Sequence, residues 1–205
     1  MPIKNLLFDL GGVIIDLHIQ NTREAFEELG MKETGNWFVA HDQNSWLNKY
    51  ETGQIDTDAF IAGINKDSGL GISEKDFKQA WNAMLGKVRR SRLEMLENLR
   101  EKYRVFALSN INPMHAHACH EILERDHDIY SFHEIFDRVF FSHEINARKP
   151  DKASFDAVLK ATGIHPEETL FFDDHFPNVE AAARFGFLAQ HVDLEISVLV
   201  EQLKL

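Results

Sequence analysis

Four places in the sequence set reactive side chains directly behind short apolar runs. Asp9 lies in FDLGGVIID and is followed at once by Gly11 and Gly12. Ser109 and Asn110 end RVFALSN, Arg148-Lys149-Pro150 comes shortly after DRVFFS, and Asp173 and Asp174 end ETLFFDD. Taken singly, each has an ordinary reading: a turn former, a helix cap, a loop dipeptide, a second cap. Taken together they are three carboxylates, a hydroxyl, a carboxamide and an ammonium. Three converging acids repel one another and raise each other's pKa. A divalent cation relieves that repulsion, and Mg²⁺ suits hard carboxylate oxygens while sharing its shell with water and substrate phosphate. Lys149 and Ser109 are then suited to hold the other oxygens of a phosphoryl group.

The elements that position these groups follow from the hydrophobic rhythm. Residues 3–10 read as a short buried strand. From about residue 89, strands alternate with helices: RSRLEMLENLREKY, RVFALSN, NPMHAHACHEILER, DRVFFS, DKASFDAVLKATG, ETLFFDD, NVEAAARFG, FLAQHV and a final amphipathic helix. That alternation predicts βαβ units and a doubly wound parallel α/β sheet. In such sheets ligands bind beyond the carboxyl ends of the strands, where all four clusters fall. Between the first strand and the rest the pattern is helical, in TREAFEEL, GNWFVAHDQNSWLNKY, DTDAFIAGINKD and SEKDFKQAWNAML, with Asp56 and Ser73 as N-caps. No strand-like run is expected there. The division is a core of residues 1–16 and 89–205 and a helical insertion of residues 17–88.

These motifs, in this order, resemble the haloacid dehalogenase-like hydrolase superfamily, carried here by FDLGGV, LSN, RKP and FFDD. The insertion lies where that family places a small helical cap, and YETGQID resembles its Glu-x-Gly cap loop, with Glu51 reaching over the site. The nearest flavour is that of small sugar-phosphatase-like and epoxide-hydrolase-N-terminal-like members. The resemblance implies a Rossmann-like core and a Mg²⁺-dependent phosphatase. Asp9 attacks phosphorus to form an aspartyl-phosphate. The metal is held by Asp9, the Gly11 carbonyl, Asp173 and Asp174. Lys149 and Ser109 are catalytic, and Ser109, Asn110, Lys149 and Glu51 touch the substrate, a small phosphorylated metabolite with a sugar phosphate foremost.

One position departs from the family. Its phosphatases carry a second Asp two residues after the nucleophile, for general acid–base work worth roughly 10²–10⁴-fold. Here that residue is Gly11. His41, Glu51 and His175 are candidate replacements, and good leaving groups should be favoured over alkyl phosphates. The same departure opens two alternatives: a 2-haloacid dehalogenase-type hydrolase, whose halide needs no proton, and a catalytically degenerate binding module. The acid pair of FFDD favours the metal-dependent phosphatase.

The bulk properties agree. The 205 residues carry a formal charge of −11, which disfavours nucleic acid or an anionic membrane as partner. The single cysteine, Cys119, excludes an internal disulfide and suits a reducing cytoplasm. The apolar start of the chain is too short and too acidic for a signal peptide, no run approaches a membrane span, and a monomer or homodimer is expected. MHAHACH offers His115, His117, Cys119 and His120, but on two partly different helix faces, which suits zinc poorly. Trp37, Trp46 and Trp81 are expected to pack within the helical insertion, with a stacked sugar ring as the sharper alternative.

Overall fold

The computed structural model describes residues 2–31 and 44–205. The chain starts with β1 (Asn5–Phe8) and β2 (Ile15–Leu17), then α1 (Ile19–Glu28), α2 (Trp46–Glu51), α3 (Thr57–Ser68), α4 (Glu74–Asn82) and β3 (Leu85–Val88). It continues through α5 (Arg90–Arg100), β4 (Arg104–Ser109), α6 (Pro113–His127), β5 (Arg138–Phe141), α7 (Ser142–Ile145) and α8 (Lys152–Thr162). It closes with β6 (Thr169–Asp173), α9 (Phe176–Arg184), β7 (Leu188–His191) and α10 (Ile196–Gln202). No described helix is long and apolar enough to cross a membrane.

The main sheet runs β5-β4-β1-β6-β7, parallel throughout. Its strands are apolar on both faces because helices cover both. Alternate residues divide cleanly. Leu6, Phe8, Val105, Ala107 and Phe172 join a core that includes Leu96 of α5, Leu123 of α6 and Leu199 of α10. Leu7, Phe106, Leu108 and Phe171 join the opposite core with Phe155 of α8 and Ala182 of α9. This is the doubly wound arrangement, and it places β1, with Asp9 at its end, between β4 and β6.

The helices α1–α4 share a core of their own, built from Phe26, Tyr50, Phe60, Phe77 and Trp81. The N-caps are those the sequence predicts: Asp56 accepts from the Ala59 N–H and Ser73 from the Asp76 N–H. Trp81 is buried in this core, and Trp46 lies against Gly63, where a Cβ would meet its ring at 2.6 Å. Trp37, His41 and residues 35–43 of the helix expected over GNWFVAHDQNSWLNKY lie outside the described residues.

The structure differs from the sequence reading between residues 82 and 88. The last helix of the insertion ends at Asn82, and residues 85–88 form β3, paired antiparallel with β2. The two strands are the two crossings between core and insertion. They are too short to show a period, and Gly86, which lies close against Asp16, weakens the strand signal further. An ion cluster around the buried Arg92 fixes this crossing. Arg92 donates to the Ile14 carbonyl at 3.0 Å and to Glu195 at 2.8 and 2.9 Å, and it pairs with Asp16 at 2.8 Å.

Candidate active site

The four clusters meet at one rim of the sheet. Asp9 stands just past the end of β1, where its N–H donates to the Phe172 carbonyl of β6 at 2.8 Å. The backbone then turns through Gly12, whose φ is +77° and where any Cβ would collide with the Asp174 carboxylate. Only glycine suits that conformation and that approach. Gly11 has a different constraint: a Cβ there would stand 2.9 Å from Leu17 Cδ1, so Leu17 fills the space beside the nucleophile position.

Lys149 is the centre of the rim. It is 1% exposed, and its Nζ donates to Asp9 Oδ1 at 2.7 Å and to Asp173 Oδ2 at 2.6 Å. Burial works to lower its pKa, but Asp173 and Asp9 more than offset that, and the net displacement is upward. Asp9 moves the other way from an ordinary carboxylate. Burial pushes it up to about 7 against the pull of Lys149, and Asp173 adds to the rise. Asp174, half out in solvent, is also raised, by burial first and by Asp173 second. Asp173 is fully buried and held from three sides. Besides Lys149, its oxygens accept from the His175 N–H at 2.8 Å and from Asn178 Nδ2 at 3.0 and 3.1 Å.

Carboxylate oxygens of Asp9, Asp173 and Asp174 lie within 4.8 Å of one another, and among the described residues this is the one such group of potential metal ligands. Three acids share one ammonium there, and burial first, with the neighbouring Asp173 adding to it, raises Asp9 and Asp174. Asn178 Oδ1 is buried beside them with no hydrogen-bond partner among the described residues. A hard oxygen-seeking dication fits this donor set.

The expected substrate contacts are placed unevenly. Ser109 ends β4 and lines the cavity beside Asp9. Asn110 also lines the cavity, and its side-chain amide has a second set of partners. Its Oδ1 accepts from the Lys149 N–H and its Nδ2 donates to the Lys149 carbonyl, both at 2.8 Å, so the amide pins the backbone that carries the central ammonium. Glu51 does reach over the site from the end of α2, but its Oε2 is taken by Arg148, at 3.1 Å to Nε and 3.0 Å to Nη2. Burial raises the Glu51 pKa even so. His175 precedes α9 at the exposed rim.

MHAHACH resolves into packing rather than a zinc site. His115 is buried, its Nε2–H donates to the Trp81 carbonyl at 3.0 Å, and its Nδ1 accepts from Asn112 at 3.2 Å. Cys119 is buried, and desolvation lifts its thiol to about 12. His117 points to solvent near Glu121, and His120 packs between Phe132 and Phe141.

Asp9, Ser109, Lys149 and Asp174 open into a cavity of about 410 Å³. Its other wall comes from the insertion and its crossings: Leu17, Ile19, Arg23, Leu47, Glu51 and Met84. Asn178, Leu17 and Arg23 are absent from the sequence-derived site. Asn178 had a signal, an amide five residues after Asp173 in FFDDHFPN; Leu17 and Arg23 had none, since nothing local distinguishes them from other residues of an amphipathic segment.

Comparison with known proteins agrees with this geometry. A family model described as haloacid dehalogenase-like hydrolase matches residues 3–186. A D-ribitol-5-phosphate phosphatase from Bacteroides thetaiotaomicron is 30% identical over 186 residues, covering 90% of this chain and 89% of that protein. A sesquiterpene phosphatase from Aspergillus oryzae is 26% identical over 201 residues, covering 97% and 94%. A crystal structure of a haloacid dehalogenase family enzyme from Bacteroides thetaiotaomicron, in complex with magnesium and inorganic phosphate, superposes with a TM-score of 0.84 at 31% identity, covering 96% of this chain and 98% of that one.

Proposed function

This chain belongs to the haloacid dehalogenase-like hydrolases, and from that premise we propose that it is a Mg²⁺-dependent phosphatase of small phosphomonoesters, with Asp9 as nucleophile. The observation that carries the reading is the Asp9–Lys149–Asp173 arrangement, with Asp174 beside it, at the carboxyl end of a parallel sheet. The similarity to phosphatases acting on a polyol phosphate and on sesquiterpenes supports a phosphate ester with a compact organic leaving group.

Lys149 holds one oxygen of Asp9, so the other is left to attack phosphorus from a fixed direction. As that bond forms, the ester P–O bond breaks and its electron pair leaves with the alcohol, which takes up a proton. Water then attacks the aspartyl-phosphate, the P–O bond to Asp9 breaks, and inorganic phosphate and the free carboxylate result. Lys149 and Ser109 meet the phosphoryl oxygens. Asp9, the Gly11 carbonyl, Asp173 and Asp174 are the groups that would hold Mg²⁺. When bound, the ion supplies charge neutralisation that lets a phosphate dianion approach a carboxylate.

Gly11 offers no proton to the leaving group, and Leu17 fills the space where a side chain at that position would start. Glu51 is tied to Arg148. Leaving groups that depart without full protonation are therefore favoured. The helices α1–α4 act as the cap that closes over the site and excludes water. One buried cysteine suits a reducing compartment such as the cytoplasm.

The test is phosphate release from a panel of aryl, sugar and polyol phosphates, with Mg²⁺ and with chelator, for the wild type and Asp9→Asn. Release that needs the metal, disappears in Asp9→Asn and is faster for aryl than for alkyl esters is expected. Release that survives both chelation and the substitution would sink the reading.

A further inference from the structure

We propose that Arg23 selects the leaving group: the site takes phosphomonoesters that carry a second anionic group, a carboxylate or a second phosphate, beyond an apolar stretch. The inference rests on the phosphatase reading above and names the substrate class within it.

Three cations line the cavity. Lys149 is balanced by Asp9 and Asp173, and Arg148 by Glu51. Arg23 lines the same cavity, yet it makes no hydrogen bond or ion pair among the described residues. The chain as a whole is acidic, with 33 acids and 22 basic residues, and the other two cations of this cavity are each held by a carboxylate. Its own helix does not supply a partner: no ion pair joins Arg23 to Glu27, the acid one turn on, among the described residues, and Glu24 accepts from Gln20 at 3.1 Å. The phosphoryl group itself is already provided for by Lys149 and the acidic cluster. A second charge on the ligand is what remains for Arg23 to meet.

The rest of the wall defines what lies between. Ile19 stands one helical turn before Arg23 on α1, on the same face, and is 48% exposed at the cavity. Leu17, Leu47, Met84 and Leu85 continue that surface as hydrocarbon. A hydroxyl seated against it gives up its hydrogen bonds to water without replacement. An apolar or aryl segment loses nothing there. A cation beside low-dielectric walls also holds an anion more strongly than the same cation on an open surface.

The test compares para-carboxyphenyl phosphate with para-carbamoylphenyl phosphate, which has the same shape, no second charge and, if anything, the better leaving group. Wild-type enzyme with Mg²⁺ should favour the carboxylate ester by about fivefold in kcat/KM, expressed in KM, the upper end for an exposed charge pair. Rising salt should shrink the preference. Arg23→Gln should bring the ratio to about one, and Arg23→Lys should restore part of it. Arg23 is exposed, so neither change disturbs packing. Para-phenylene bisphosphate, run alongside, tells a preference for a second phosphate from one for a carboxylate. Equal use of the two esters by the wild type, or a preference that survives Arg23→Gln, overturns the proposal while metal-dependent release leaves the phosphatase reading intact. No release from any ester removes both.

Discussion

At the sheet rim, Asp9, Lys149 and Asp173 are held by complementary neighbours. Lys149 sits between Asp9 and Asp173, Asn178 and the His175 N–H hold Asp173, and Asn110 pins the Lys149 backbone. Across the cavity, the wall from the helical insertion offers hydrocarbon, the Glu51 carboxylate bound to Arg148, and a guanidinium, Arg23, with no partner among the described residues. The first wall is preorganised, so its charges need not rearrange during reaction. The second makes few directional demands and can discriminate only by shape, apolarity and net charge. On the proposed function, chemistry and selection are carried by different halves of the molecule. Changes at the rim should act on kcat, and changes on the opposite wall on KM.

The sharpest way to break that contrast is Lys149→Met. It removes the ammonium between two buried carboxylates, and kcat should fall by about 10³. Asp9 and Asp173 then lose their shared partner, so stability measured without metal should drop by roughly 3 kcal/mol and recover as Mg²⁺ is added. A variant that kept wild-type kcat would place the chemistry elsewhere. Asn110→Ala comes next. It leaves Lys149 in the chain but frees its backbone at both hydrogen bonds, and a small displacement of a catalytic group costs roughly 10–100-fold. The loss should lie in kcat with KM little changed. A change confined to KM would return Asn110 to the role of a direct substrate contact.

How much of this was legible in the sequence follows the same divide. Asp9, Ser109, Lys149, Asp173 and Asp174 were readable because a parallel sheet delivers its strand ends to one rim, and because few residue types suit that chemistry. The commitment of Asn110 to Lys149 was not, because it is a contact across 39 residues set by loop geometry. Nor was the β2–β3 crossing, too short for a period and held by Arg92, whose partners Asp16 and Glu195 are far apart in the chain. Leu17 and Arg23 become part of the site only when the insertion folds back over the rim.

The seam between the two halves gives the smallest effect, and it is read in stability rather than turnover. His115 of α6 is buried against Trp81 of α4, rings stacked at 5.2 Å, with its Nε2–H on the Trp81 carbonyl. Desolvation lowers its pKa from 6.5 to about 4, only partly opposed by that hydrogen bond. The unfolded chain therefore takes up a proton near pH 6.5 that the folded chain refuses until about pH 4. Above the unfolded value the imidazole is neutral in both states and its packing is fully retained. As pH falls through this window, stability is lost, by about 2 kcal/mol at pH 5. His115→Phe keeps the stacked ring but cannot take up the proton. Its unfolding free energy should be lower than wild type at neutral pH, through the two lost hydrogen bonds, yet flatter between pH 7 and 5. Parallel curves for the two proteins would mean that the seam opens to water before the fold does. The cap would then part from the core at the Trp81–His115 contact without global unfolding, and substrate entry would become a stability event as well as a motion.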